Sequence, residues 1–526
     1  MQILSALDAT FLYLESEHSP MAIGGINVID AKDAPDTFSY DAWYELVKSR
    51  LRGSKVFRER LIEVPWSLSY PFWIQDPDFN LGNHLPRVKL PTPGGMQELM
   101  GLAAEVWGQV LDRNRPLWEM IFVEGLDTIP GIAKGSYALV SRVHHAAVDG
   151  KAGGEMMAVL SDLSPDIRQM EGDDDWQPEE IPSSWEAIAE SWSKAGKKAL
   201  ELPGFIGKTA LGAAQLFRDT QLKSLDTLPR VLAAPASRFN QRIESKRTYW
   251  AKNYDFERIR AIRKAAPGIT INDVVLAVCA GGLREYLLHK SELPDKPLVT
   301  MAPISVRQDG KDGDAGNQVS GMLVGLATDT SDPLERLLII HKNTQRSKIY
   351  ASALPANQIT EFFPSETLAA AARVYTRTRL GGRHRPFFNV TITNVPGPPV
   401  PLYVAGAKIH SSFGMAPILD GLGLLLVVLS YNGRISIGVS SCEQIVPDPE
   451  FMVDCFSNSL DELEKSLELA NSPQIAEQLD ATAAIDEQRA SDRIDIRARV
   501  DSITALQKAS LALDKAIESL EGSKEQ

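Results

Sequence analysis

The sequence predicts a mixed α/β protein of two domains, and three observations carry that expectation. Apolar runs of strand length alternate with amphipathic stretches of helical period along the first 165 residues. An acidic, proline-marked break, Glu171 to Glu180 (EGDDDWQPEE), then interrupts the pattern. A second alternation of strands and helices restarts at Lys246-Arg247-Thr248-Tyr249. At 526 residues the chain is long enough to bury two sizeable cores.

In chain order, Leu7 to Tyr13 opens with an apolar cluster, and Met21 to Ile29 (MAIGGINVI) reads as a strand. Tyr40 to Leu51 is an amphipathic helix with Trp43, Leu46, Val47 and Leu51 on one side. Proline, glycine and tryptophan crowd residues 65–95, which suits short strands and irregular loops. Gln97 to Leu111 is helical, Asp112 to Trp118 a loop, and Ile121 to Gly125 a strand. Tyr137 to Val143 reads as a buried strand, and Lys151 to Leu163 shows apolar positions at helical spacing.

Residues 166–246 read as an acidic, helical crossover. In the second half, Thr270 or Asn272 can cap a helix whose apolar body runs from Val274 to Leu288. Leu298 to Val306 is a strand leading into Arg307, and Asn389 to Thr393 another, halted by Asn394-Val395-Pro396-Gly397-Pro398. Gly423 to Ser430 and Arg434 to Ser440 form a hairpin around Tyr431-Asn432-Gly433. Beyond residue 470 the chain is helical and highly charged, and suits either a helix docked on its own domain or a homo-oligomer seam. The expected division is 1–165, 166–246, 247–470 and 471–526.

A formal net charge of −13 argues against an electrostatic grip on nucleic acid. Cys279, Cys442 and Cys455 have no paired spacing and suit reduced core thiols in a reducing compartment. Asp8 comes too early for a secretory signal, and the longest aliphatic run, Leu422 to Leu429, is too short to span a bilayer. The expected place is the cytoplasm, with any membrane contact peripheral.

The chemistry centres on His144-His145-Ala146-Ala147-Val148-Asp149-Gly150, at a strand end where side chains can face a cleft. An imidazole takes a proton from a hydroxyl at neutral pH because its ordinary pKa, about 6.5, lies close by. A carboxylate such as Asp149 can hold the site in shape, by pairing with an arginine or accepting backbone N–H groups, and Gly150 permits a positive φ or a close approach. A metal pair lacks a third ligand at useful spacing, so no metal is expected. Two ordinary histidines beside a strand-to-helix turn remain the plainer alternative.

Several further stretches stand in a recognisable order: LDATFLYLE (7–15), FRERL (57–61), LDRNRPLWE (111–119), HHAAVDG (144–150), IND (271–273), PISVR (303–307), GN (316–317), NVPGP (394–398) and SYNGR (430–434). With these the chain resembles the bacterial wax ester synthase/diacylglycerol acyltransferase family over roughly residues 5–460. The resemblance implies two chloramphenicol-acetyltransferase-like domains with an active-site tunnel at their interface. It implies fatty acyl transfer from acyl-coenzyme A, a co-substrate with no resident cofactor, to a long-chain alcohol or diacylglycerol. Such substrates imply a protein docked on a membrane or lipid inclusion.

His145, matching the second motif histidine, would then be the general base, with His144 orienting it or lining the tunnel. Asp149 would be structural, paired with Arg307. Asn272 would donate to the oxyanion or cap its helix, and Asp273 would serve as a cap or ion-pair member. Pro116, Leu117 and Trp118 would brace the tunnel wall, and Asn394 is a further candidate at a rigid turn. Phe413 to Gly423 suits an acyl-tunnel lining or ordinary core. The same motif would serve another acceptor, such as a polyketide or isoprenoid alcohol, and a non-catalytic lipid-binding protein is the rival from a different class.

Overall fold

The strands expected from the sequence assemble into two six-stranded sheets. The computed structural model describes residues 2–65, 69–148, 152–170, 176–182, 234–305, 319–351, 365–379, 382 and 385–469. The first half supplies β1 (Gln2–Ile3), α1 (Ala6–Leu14), β2 (Ala22–Ile29), α2 (Tyr40–Arg50), β3 (Glu59–Ile62), β4 (Phe72–Gln75) and β5 (Arg87–Lys89). It continues with α3 (Met96–Trp107), β6 (Trp118–Leu126), β7 (Ser136–His144) and α4 (Ala152–Leu160). The second half opens with β8 (Arg247–Asp255), α5 (Phe256–Ala265), α6 (Ile271–His289), β9 (Val299–Ser305) and β10 (Val319–Gly325). Then come α7 (Pro333–Ala351), α8 (Ser365–Thr378), β11 (Val390–Pro396), β12 (Tyr403–Val404) and β13 (Ala407–Met415). Finally come β14 (Leu425–Tyr431), β15 (Arg434–Cys442) and α9 (Pro449–Leu469). Most of the crossover and the whole charged tail after residue 469 lie outside the described residues.

The first large sheet has the order β12-β13-β2-β7-β6-β5. Its strands alternate with period two between two cores. Ile26, Val28, Ile121, Val123, Ala138 and Val140 face α1 and α3. Met120, Phe122, Leu139 and Val143 face the other way, towards α2 and α4. A small sheet, β1-β4-β3, closes one end.

The second large sheet has the order β10-β9-β11-β14-β15-β8. One face, including Ile392, Leu426, Val428, Ile437 and Val439, packs on α6, whose residues from Asp273 to Leu283 are all buried. The β14–β15 hairpin turns on Asn432 (φ 44°) and Gly433 (φ 76°), the left-handed pair that a two-residue turn between twisted strands demands.

The halves are not separate in space. β13, from the second half, pairs antiparallel with β2 and completes the first sheet. It also lies across β14 and β15, where a Cβ at Gly414 would sit 2.6 Å from Val427 and one at Gly438 2.7 Å from the Gly414 carbonyl. Glycine at both positions lets two sheets approach at backbone distance, and Tyr249 Oη ties them by donating to the Gly414 carbonyl at 2.9 Å. Phe413 and Met415 belong to the first core and Ile418 to the second, so this stretch passes from one core to the other.

One strand runs further than the sequence suggests. β11 does not stop at Thr393 but continues to Pro396, with Asn394 inside it, in parallel register with β14. It pairs with β9 only at Val390 and Thr391. Past that point β11 has no second strand partner among the described residues, so Pro396, which has no N–H to give, is tolerated at the strand end.

Candidate active site

The histidines leave β7 between two neighbours that position them through backbone alone. Ala22 of β2 stands opposite His144, the His144 N–H donates to the Leu117 carbonyl at 2.9 Å, and the His145 N–H donates to the Met21 carbonyl at 2.8 Å. A single 3-10 turn, His145–Ala147, follows.

His144 is fully buried, and its Nδ1 accepts the Ala146 N–H at 3.0 Å. That bond leaves Nδ1 without a proton, so the ring hydrogen sits on Nε2, 3.3 Å from Glu15 Oε1.

Glu15 follows the last residue of α1, with a side chain only 3% exposed. It accepts the Met21 N–H at 3.1 Å and two bonds from Arg113, at 2.9 and 3.2 Å. Arg113 in turn donates to the Leu12 carbonyl at 2.8 Å and to Glu63 at 2.5 Å. Burial works to raise the Glu15 carboxyl's pKa, but His144, the Met21 N–H and Arg113 outweigh it and hold it below the usual range.

His145 lies flat on Phe11, with ring centroids 3.8 Å apart and planes 12° from parallel. Burial, opposed by a backbone hydrogen bond and reinforced by His144, pulls its pKa down to about 4. The ring is therefore neutral at pH 7, and its Nδ1 has no hydrogen-bond partner among the described residues. Asp149, Gly150 and Arg307, expected beside it, lie outside the described residues.

The depressed pKa has a stability consequence with a definite sign. Between about 6.5 and about 4 the unfolded chain binds a proton at His145 that the folded chain does not, so stability falls as pH drops through that window. His145→Phe keeps the stack and should flatten the urea-unfolding free energy between pH 6.5 and 4.5 relative to wild type. An unchanged slope would show that other groups set the acid sensitivity.

Pro116, Leu117 and Trp118 are all buried. The Trp118 indole donates to the Phe57 carbonyl at 3.0 Å and stacks on His84 at 4.5 Å, while Leu117 holds the His144 backbone.

In the second half, Thr270 rather than Asn272 caps α6. Thr270 Oγ1 accepts the Asp273 N–H at 3.2 Å and Asp273 Oδ2 accepts the Thr270 N–H at 2.9 Å, a reciprocal capping box. Asp273 is wholly buried, and also binds His341 Nδ1 at 2.9 Å and Thr344 Oγ1 at 2.6 Å. The Asn272 side chain is left to meet Asn394, whose Nδ2 donates to Asn272 Oδ1 at 3.4 Å. Two candidate residues 122 positions apart thus come together beside the part of β11 that runs past its pairing with β9. Among the described residues no group of three or more His, Cys, Asp or Glu side chains is placed to hold a metal.

A model of the wax ester synthase/diacylglycerol acyltransferase catalytic domain matches residues 4–275, just over half of the chain, and one of the C-terminal domain of the same family matches residues 315–464. The chain belongs to the wax ester synthase/diacylglycerol acyltransferase family. The O-acyltransferase WSD of Acinetobacter baylyi is 32% identical over 487 residues, covering 89% of this chain and 97% of that protein. The solved wax ester synthase/diacylglycerol acyltransferase of Marinobacter aquaeolei VT8 is 28% identical, with a TM-score of 0.63 over 89% of this chain and all of the other. This family member is therefore an acyltransferase with the two-domain acyltransferase architecture. Phe11, Glu15, Arg113, the histidine pair, Asn272 and Asp273 all fall within the catalytic-domain match.

Sequence reasoning did not single out Phe11, Glu15 or Arg113. Phe11 and Glu15 are four apart, hence on one helical face, and both lie in quoted family stretches. That spacing was the available signal.

Proposed function

We propose that this acyltransferase moves a long-chain fatty acyl group from acyl-coenzyme A to the hydroxyl of a fatty alcohol, giving a wax ester, or of diacylglycerol, giving triacylglycerol. The observation that supports it best is the placement of His145: half-buried against Phe11, with an Nδ1 unpartnered among the described residues, beside a histidine whose own Nδ1 is engaged as an acceptor. His145 takes the acceptor's hydroxyl proton as that oxygen bonds to the thioester carbon. Collapse of the tetrahedral intermediate breaks the C–S bond, and the coenzyme A thiolate leaves with the proton that the imidazolium returns. Asn272 and Asn394 are the amides available to steady the oxyanion, a contribution of about 3–4 kcal/mol for one well-aimed donor. Asp149, paired with Arg307, keeps the motif loop in shape.

In this reading residues 1–165 and 247–470 form the two acyltransferase domains, 166–246 the crossover, and 471–526 a charged helical tail. No resident cofactor takes part. Among the described residues no helix is long and apolar enough to cross a membrane. Access to insoluble substrates then comes through peripheral docking on a membrane or lipid inclusion.

The test is thiol release from palmitoyl-coenzyme A with hexadecanol or dioleoylglycerol, with lipid products resolved. Release with one of them, and the matching ester, is the expected result. Turnover only with an unrelated acceptor, such as an isoprenoid alcohol, would move the assignment within the same fold.

A further inference from the structure

We propose that a cleft at the seam between the two halves is a binding site for a monatomic anion, with chloride the natural member of that class. The cleft is lined by Trp107, Arg247, Met415, Pro417, Ile418 and Ser440, among others. The room it leaves for a water-sized sphere is about 10 Å³, the least that one such sphere needs, so a halide would sit in close contact with the lining.

Arg247 supplies the charge. It is the first residue of β8, only 8% exposed, and its guanidinium donates to the carbonyls of Glu244 and His18. Those two oxygens occupy two of its five N–H donors and carry partial charge only. No carboxylate stands within ion-pair distance of it among the described residues. Asp420, the acid that acts on it from further off, is already held by two 2.8 Å bonds to Arg379. The C-terminal end of α3, where Gly108 leaves room for the Arg247 stem, again offers only part of a charge.

Two other donors share the cleft. The indole nitrogen of Trp107 and the hydroxyl of Ser440 are buried with no partner among the described residues, in side chains 3% and 1% exposed. A buried cation without a counter-ion and two unanswered polar groups are each unfavourable, and all three belong to residues that line one void. A halide accepts from N–H and O–H donors at once and brings the full negative charge that water lacks. Ala22 also lines the cleft and pairs with His144, so the ion would join the histidine strand's neighbour to β8 and β15. Its effect would be on how firmly the halves are held together.

The full chain is melted in sodium chloride and in sodium gluconate, too bulky for the cleft, at equal ionic strength and pH. Chloride should raise the melting temperature in a saturable way. Ser440→Ala and Trp107→Phe should each weaken the half-saturating chloride concentration about tenfold or more, the value of one hydrogen bond to a charged group. Each removes one donor and leaves Arg247 in place, so either variant alone suffices if the other does not fold. Identical melting in the two salts overturns the proposal. So does a chloride effect that survives unchanged in the folded variants, since the ion then binds elsewhere.

Discussion

His145→Ala should lose acyl transfer by about a hundred- to ten-thousand-fold while the protein remains folded. The size follows from what a positioned base supplies, and the folding from what surrounds the ring. Among the described residues the His145 Nδ1 is unpartnered, and the residue is held by its backbone N–H to Met21 and by the stack on Phe11. Truncation removes the stack and leaves the backbone bond in place. The loss should therefore appear in kcat, with KM for palmitoyl-coenzyme A close to wild type, because the group acts in the transition state. A variant within about tenfold of wild type would remove His145 from the base's role.

Glu15→Ala should destabilise the protein by about 2–4 kcal/mol and Glu15→Gln by much less, the two separating charge from shape. Alanine deprives the Met21 N–H and Arg113 of their shared acceptor and removes the carboxylate 3.3 Å from His144 Nε2. Glutamine keeps an acceptor oxygen and loses the charge, leaving Arg113 to Glu63. On the proposed mechanism Glu15 would act on the reaction through His144, as a positioning residue. A structural role alone predicts lost stability with kcat unchanged in the folded fraction. Positioning predicts that Glu15→Gln, though folded, also loses about tenfold in kcat, the cost of letting the His144 ring turn. Urea unfolding beside steady-state kinetics reads both.

Local patterns were legible in the sequence because their physics is local. The β7 run, the Tyr40 helix and the Asn432-Gly433 hairpin were all recognisable from periodicity or turn chemistry. The α6 cap was half legible: threonine and asparagine both qualify by residue type, and only the reciprocal bond between Thr270 and Asp273 decides between them. The support behind His144 was hidden because Glu15, Met21 and Arg113 meet there from three separate segments. β11 was read as too short because Pro396 signals a break, and only the lack of a second strand partner there, among the described residues, makes that proline harmless.

β13 bears on how this chain comes off the ribosome. The edge of β2 that it covers is made roughly 390 residues before its partner exists. Until β13 emerges, that edge exposes unpaired N–H and C=O groups, an invitation to pair with another nascent chain. Contacts so distant in sequence also slow the final closure. The amino-terminal half is therefore a poor unit for expression by itself, and a premature stop before residue 407 should give an aggregating fragment instead of a folded domain.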